Sequence, residues 1–493
     1  MMPLGGGTLP RRRAGVLAAQ LCAGGERSGR PCSAGTAHAT GGGFEAEAAA
    51  LEKAEVVALR RRHFSAAQSI SYGNTDPLLI VRGEGARLFD EQGRSFLDTR
   101  NNVGHVGHAH PRVAAAVAAQ VAALNTNTRY LHPNICLLAQ RLVATFPQGS
   151  GLEVCFFVNS GSEANDLAVR LAFARTRSRD IVVVDHGYHG HTQQAIDISP
   201  YKFDHRGGEG AKSTVHKVPC PDTFRGPHRG PDAGERYAEY VAATCRSAPG
   251  GQVAAFFVES GMSVGGVILP PPGYLAAAYR AVHAAGGVCV ADEVQVGFGR
   301  FGEYFWAFEQ QGVMPDIVTM GKPFGNGMPL AAVVTTRSVA EAFNNGLEYF
   351  NTFGGNPVCA AAGLAVLEVL REERLQENAA GVGVHLTGAL RALAQKRPMI
   401  GDVRGQGLFL GVELVRSTGL PPEPATSETS VVCARMKDEH NILMSIDGPH
   451  DNVLVIKPPM CFSYADADEV VAALDKVLGS LRVGATGVGH TPT

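Results

Sequence analysis

The chain has 493 residues, a formal net charge of -2, 45% hydrophobic residues and 18% charged residues, which suits a globular protein with more than one core-forming unit. Near-neutral charge gives no electrostatic basis for binding nucleic acid or an anionic membrane, and no apolar run reaches the roughly 18 residues of a membrane span. The ten cysteines form no Cys-x-x-Cys pair and read as reduced thiols of an intracellular protein rather than a metal site.

Residues 1–43 carry five arginines and a single acid, Glu26. Arg-rich, acid-poor composition suggests a transit peptide for the mitochondrion or another organelle; the alternative is a disordered tail on a cytoplasmic protein. A helical pattern follows from Glu45 to Arg61. Leu79–Arg82 and Ala86–Asp98 look like a hairpin with a turn at Gln92-Gly93. Alanine-rich helical stretches cover 112–124 and 134–145. Strands then alternate with helices. The strands are Val154–Val158, Ile181–Asp185, Ala254–Val258, Val288–Asp292, Ile317–Met320 and Leu330–Thr335; the helices between them include 162–175, 234–247, 273–285 and 356–371. Short apolar, β-branched runs separated by helices predict an α/β fold with a mainly parallel sheet covered on both faces. Ligands bind such sheets at the carboxyl ends of the strands. The stretch 381–480 reads as a smaller second domain, and 484–493 as a disordered tail.

The strand ends carry the chemistry. Asn159-Ser-Gly-Ser-Glu-Ala-Asn165 follows one strand and opens a helix. Its small residues leave backbone N–H groups at a positive helix end, a ready anion site; a plain turn capped by Ser162 fits equally. Asp292 ends another strand, in Val290-Ala-Asp-Glu-Val-Gln295, and either holds a cationic ring nitrogen or caps a helix. Asp185-His-Gly-Tyr-His-Gly-His191 follows a third strand. Its histidines sit in a loop without metal-ligand spacing, so Tyr188 as an aromatic platform is the better reading. His105, His108 and His110 are likewise loop histidines. Gly297-Phe-Gly-Arg-Phe-Gly302 matches G-x-G-x-x-G, but it does not join its strand directly to a helix, so it is no dinucleotide fingerprint. Lys322, in Val318-Thr-Met-Gly-Lys-Pro-Phe-Gly-Asn-Gly-Met-Pro329, is the one charged residue among glycines, prolines and apolar residues. Burial lowers a lysine's proton affinity and makes it a nucleophile. An anion-binding turn, an aromatic, a strand-end Asp and a lone Lys, in that order, are the equipment for pyridoxal phosphate.

On these motifs the sequence resembles the class III (ω-type) aminotransferases, fold-type I pyridoxal-phosphate enzymes, from about residue 70 to 480. The resemblance implies that Lys322 forms the Schiff base with the cofactor and that Asp292 pairs with its ring nitrogen. Gln295 would lie near the ring hydroxyl, Gly161 and Ser162 would hold the phosphate, and Tyr188 would stack on the ring. Thr352 would reach the phosphate of the neighbouring subunit's cofactor in a homodimer, or in a tetramer of such chains. The implied domains are 44–111 with 346–483 as a small α+β domain from both chain ends, and 112–345 as the large cofactor-binding domain.

Two departures narrow this reading. Many ω-aminotransferases carry a Glu at the position of Val264 and a carboxylate-gripping Arg at the position of Val455; here both are apolar, and Lys457 follows two residues on. The segments Asn101–His108, Leu124–Tyr130, Ile198–Phe203, Pro221–Pro227 and Pro458–Phe462 resemble the phospho-lyase branch, whose members act on ethanolamine phosphate or 5-phosphohydroxylysine. The implied reaction eliminates phosphate and ammonia and leaves an aldehyde. Arg129, Lys202 and Arg225 are candidates for the substrate phosphate or are solvated surface charges. The alternative activity is transamination to pyruvate or glyoxylate. A non-catalytic cofactor-binding protein is a third reading, which the Lys322–Asp292 pair opposes.

Overall fold

The computed structural model describes residues 43–73, 76–417 and 419–481. The transit-peptide reading and the tail reading therefore lie outside the described residues, except Gly43. The chain divides into two units, Met1–Gln68 and Ser69–Thr493. In the first, the helical pattern expected as one segment forms two helices, Phe44–Ala50 and Lys53–His63. The break falls at Glu52, whose extended backbone begins the second helix and whose N–H donates to the Glu55 carboxylate at 2.9 Å. That reciprocal cap restarts the helix.

The second unit is built on three sheets. The largest has seven strands in the order Leu152–Val158, Ala331–Thr336, Ile317–Met320, Val288–Asp292, Ala255–Glu259, Ile181–Val184, Val215–Val218. Ile181-Val-Val-Val184 is buried at every position, as are Ala255–Glu259 and Val288–Asp292. Continuous apolar runs of this kind suit strands covered on both faces. Pairing is parallel from Ile317–Met320 across to Val215–Val218. Ala331–Thr336 runs antiparallel to both neighbours, because the connection through Lys322 is too short for a crossover. Sequence reading missed Val215–Val218. Only its two valines are buried, with His216 and Lys217 facing out, which is the half-polar signature of an edge strand.

The expected hairpin is a three-stranded meander, Ile80–Glu84, Arg87–Asp90 and Ser95–Asp98, with Gln92-Gly93 in its second turn. Ser95–Asp98 pairs in parallel with Ile442–Leu443, so sequence from both ends of the chain shares one sheet. A further sheet joins Ile400–Gln406, Phe409–Ser417, Val453–Ile456 and Ser445–Asp447. Among the described residues no helix is long and apolar enough to cross a membrane, and the cysteines from Cys136 to Cys461 are free thiols.

Candidate active site

Parallel strands in one sheet end together, and here they deliver Glu259, Asp292 and the Gly321-Lys322 turn to the same carboxyl edge. Asp292 is 3% exposed. One carboxylate oxygen takes two bonds at 2.8 Å, from Asn165 Nδ2 and His189 Nδ1. The other accepts the N–H of Val294 at 3.0 Å. Asn165 is itself fixed: its side-chain oxygen accepts Thr319 Oγ1 at 2.7 Å, and its amide also donates to the His189 carbonyl at 2.8 Å. A buried carboxylate is costly unless its lone pairs are bonded. Here the bonds come from Asn165, His189 and Val294, so the group is held in one orientation.

The helix Gly161–Thr176 begins beside it. Its cap is Ser160, whose hydroxyl accepts Glu163 N–H at 3.2 Å, not Ser162 as the sequence suggested. The N–H groups of Gly161 and Ser162 lie before the helix's first closed turn and have no partner within it. Ser162 Oγ accepts the His191 N–H at 2.9 Å. Space is tight. A Cβ on Gly161 would meet Val294 at 2.8 Å, and one on Gly190, at φ +129, would meet Ser162 Cα at 2.7 Å. Backbone alone fits around this turn.

Tyr188 stands on the loop that follows Ile181–Val184. Its N–H donates to Glu259 Oε1 at 3.0 Å, and the other oxygen of Glu259 accepts the Ser263 N–H at 3.0 Å. Glu259 thus ties two strand-end loops together. Burial pushes its carboxyl up to about 7. Gln295 accepts Asn102 Nδ2 at 2.6 Å, which joins the Asp292 loop to the Asn101–His108 segment.

Lys322 opens the short turn Lys322–Gly325 directly after the Ile317–Met320 strand. Burial lowers the proton affinity of its ammonium, against the pull of Asp292, Glu259 and Asp447. That is the environment a nucleophilic lysine needs. Val264 is partly buried and Val455 fully buried. Val455 packs with Val267, Val296, Phe301 and Phe409.

The candidate cations separate. Lys202 Nζ stands 5.8 Å from the Tyr188 ring centre and 5.1 Å from that of Tyr201, with no ion pair among the described residues. Arg129 is on the surface, paired with Glu348 at 2.9 Å and stacked 4.1 Å over Phe350. Thr352 is exposed two residues further on. Its loop is held by Asn351, whose side-chain oxygen accepts Asn159 Nδ2 at 3.0 Å. Arg225 is engaged by the buried Glu413 and by the Pro422 carbonyl at 2.7 Å. The histidines have structural partners: His105 the Phe298 carbonyl at 2.9 Å, His108 Asp98 at 2.7 Å, His110 Glu373 at 3.0 Å. The G-x-G-x-x-G stretch seats Arg300. This arginine is fully buried and donates to the Leu408 and Pro458 carbonyls at 3.0 and 2.7 Å.

These residues suit a flat aromatic cofactor with an anionic tail. A fixed carboxylate, a desolvated ammonium and a phenol ring stand at one sheet edge. Beside them lies a helix start whose walls a Cβ would fill. Sequence reasoning missed His189, Asn165 and Glu259. The available signal was position: His189 follows Tyr188, Asn165 lies on the helix that Gly161 opens, and Glu259 ends a buried strand of the same sheet.

Residues 69–478 match the aminotransferase class-III family. The chain is 50% identical over 438 residues to "alanine–glyoxylate aminotransferase 2-like" of Drosophila melanogaster, covering 87% of each chain. It is 41% identical over 441 residues to "ethanolamine-phosphate phospho-lyase homolog 1" of Caenorhabditis elegans, covering 86% of this chain and 93% of the relative. Its fold is similar to that of a solved phospholyase from Arthrobacter in complex with phosphoethanolamine. That match has a TM-score of 0.81 and 38% identity, and covers 87% of this chain and all of that one. The chain belongs to the class III aminotransferase family of pyridoxal 5'-phosphate enzymes, with the fold-type I architecture of that family.

Proposed function

We propose that this enzyme is a phospho-lyase that converts a 2-amino-alkyl phosphate and water into an aldehyde, ammonia and phosphate. Ethanolamine phosphate and 5-phosphohydroxylysine are the two substrates to test. The observation that carries the proposal is Val455. Where many relatives place a carboxylate-gripping arginine, this chain buries a valine among Val267, Phe301 and Phe409. A keto acid's carboxylate finds no bidentate partner there. The likeness to a phospho-lyase homolog and to a phospholyase adds support.

In this reading Gly161 and Ser162 hold the cofactor phosphate by backbone N–H groups, Tyr188 covers the ring, Gln295 lies near its hydroxyl, and Asp292 faces its nitrogen. When bound, the cofactor supplies a sink for the electron pair left on the amine-bearing carbon. Asp292, fixed in place by bonds from Asn165, His189 and the Val294 N–H, would offer its carboxylate to the ring nitrogen. Lys322 Nζ takes the proton from the amine-bearing carbon, and burial lowers the proton affinity of that amine. The C–O bond to phosphate on the neighbouring carbon then breaks. Water adds to the remaining enamine carbon and ammonia leaves, which closes the balance without an oxidant. Lys202, beside Tyr188 and without an ion pair among the described residues, is a further candidate for the leaving phosphate.

In this reading a second copy of the chain would complete the site. Tyr130, Leu131, Leu347, Phe350 and Phe353 are exposed around Arg129 and Thr352. An apolar surface of this kind suits an interface, and in a homodimer it would carry Thr352 and Arg129 of the partner subunit toward the cofactor.

Transamination remains the second reading, favoured by the Drosophila relative's name and by the buried ammonium of Lys457. One assay separates the two. Purified enzyme is given each phosphorylated amine without a keto acid. Phosphate and ammonia released in equal amounts support the lyase; consumption of amine only when pyruvate or glyoxylate is present overturns it.

A further inference from the structure

Lys457 is a buried cation with too few partners. It is 8% exposed. Its ammonium has three donors but among the described residues makes one close bond, to Ser263 Oγ at 2.8 Å; the carboxylate of Asp447 stands off at 3.9 Å. Asp447 is itself shared, because Lys322 and Arg100 also act on it. Lys322 and Arg300 repel the Lys457 charge, and burial with this repulsion lowers its proton affinity to about 8, despite Asp447 and Glu259. A buried ammonium in this state is costly unless an anion completes its shell.

Both residues are held by bonds to fixed backbone, and Lys457 lies close enough to Lys322 to feel its charge. The Lys457 N–H donates to the Thr99 carbonyl at 2.7 Å, and the next residue, Pro458, accepts Arg300 Nη1 at 2.7 Å. Ser263 is fully buried, and its N–H is held by Glu259, the carboxylate that also holds the Tyr188 loop. A surface lysine would swing to water. This one directly follows the Val453–Ile456 strand, two residues after Val455, and it is pinned on both sides.

We propose that Lys457 and Ser263 form the seat for the anionic group of the substrate, the phosphate of an amino-alkyl phosphate. The identity of the ligand rests on the lyase reading; the seat itself does not. Ser263 Oγ accepts from Lys457 and turns its own proton toward the anion, while the two remaining ammonium donors bind its oxygens. The cation that recognises the substrate is thus shifted two residues from the Val455 position, which favours an anion held at a different depth.

The test uses holoenzyme, so that the cofactor's own phosphate occupies the turn at Gly161. Inorganic phosphate is titrated by calorimetry and by the change in the cofactor's absorbance. Lys457→Met is expected to weaken phosphate binding by on the order of tenfold to a hundredfold, the scale of one charge-assisted hydrogen bond. Ser263→Ala is expected to lose a few-fold, and Lys457→Arg to retain part of the affinity. With an amino-alkyl phosphate, Lys457→Met is expected to raise KM far more than it lowers kcat. Phosphate binding to Lys457→Met within about twofold of wild type, or no binding to wild type, overturns the proposal. If Lys457→Met fails to fold, Ser263→Ala decides alone: affinity equal to wild type overturns the seat. If wild-type enzyme binds phosphate through Lys457 yet releases none from any phosphorylated amine, the lyase reading fails and the anion seat stands.

Discussion

His189 Nδ1 lies 2.8 Å from Asp292 Oδ2, with both side chains almost fully buried. Nδ1 donates, and Nε2 faces the interior without a partner among the described residues. The ring edge meets Phe257 at 5.8 Å. The His189 side chain therefore bonds Asp292 and is a positioning residue.

His189→Leu is expected to lower kcat by about tenfold to a hundredfold, the cost of one hydrogen bond to a charged group, and to leave KM nearly unchanged. His189→Asn can donate from almost the same point and is expected to recover much of the loss. A purely structural role would give equal losses in both variants, together with a lower melting temperature. Asp292→Asn is expected to cost far more activity than cofactor affinity, because an amide cannot hold positive charge on the ring nitrogen.

Lys322 and Asp292 were legible in the sequence because their signals are local. Each stands at the end of a short apolar strand, and Lys322 is the one charge in its setting. His189 was not legible. A loop with several histidines suggests metal first, and nothing local shows that one of them turns inward to a carboxylate on another strand. Arg225 shows the converse. The chain carries no local sign that Glu413, far along it, occupies that guanidinium. Of the fold, the buried strands were legible because they are short, mostly apolar and β-branched runs. The Val215–Val218 edge strand was not, since half of it faces solvent.

Lys322→Ala is expected to abolish turnover and retain the fold. Borohydride should fix the cofactor covalently to the wild-type protein and not to the variant, read by intact-mass spectrometry. Cofactor fixed to a different lysine in wild type would overturn the assignment.

Lys457 gives anion binding a pH dependence of defined sign. Its proton affinity is lowered to about 8, so the cation is present below that pH and lost above it. Sulfate keeps its charge across the range and is the cleaner probe. Its affinity for holoenzyme is expected to fall by roughly tenfold for each unit well above pH 8. The groups facing Lys457 are Asp447, Lys322, Arg300 and Glu259. Of these Glu259, raised to about 7, also titrates nearby, so the comparison is with Lys457→Arg. That variant stays charged and should lose the fall above pH 8; an unchanged profile would assign it to another group.

Arg300 joins distant parts of the chain through the Leu408 and Pro458 carbonyls, and its Nη2 lies 3.1 Å from His105 Nδ1. Arg300→Met fills much of the same volume but leaves both carbonyls buried without a donor. Each such loss costs about 1–3 kcal/mol. The variant is expected to unfold several kcal/mol more easily, seen as a lower denaturant midpoint with an unchanged slope. A midpoint equal to wild type would mean that water replaces the guanidinium.

The last prediction concerns the pair Val264 and Val455. Pyruvate or glyoxylate is expected to leave the rate of phosphate release unchanged, because Val455 lies in an apolar cluster and offers a carboxylate nothing to bind. An unpaired carboxylate there would cost several kcal/mol, which is orders of magnitude in rate. Installing the missing groups, Val264→Glu with Val455→Arg, is expected to create weak keto-acid-dependent activity. It is also expected to lower the melting temperature, since the guanidinium must enter a space now shared by Val267, Phe301 and Phe409. Val455→Arg alone should be the less stable protein, because its charge is then buried without a counter-ion. If wild-type enzyme instead makes alanine or glycine from these keto acids as fast as it consumes amine, the lyase reading is wrong. The carboxylate must then be held by another cation. Arg129 is paired with Glu348, and Arg404 is bound to Glu413 and Asp402, which leaves Lys457 as the first residue to replace.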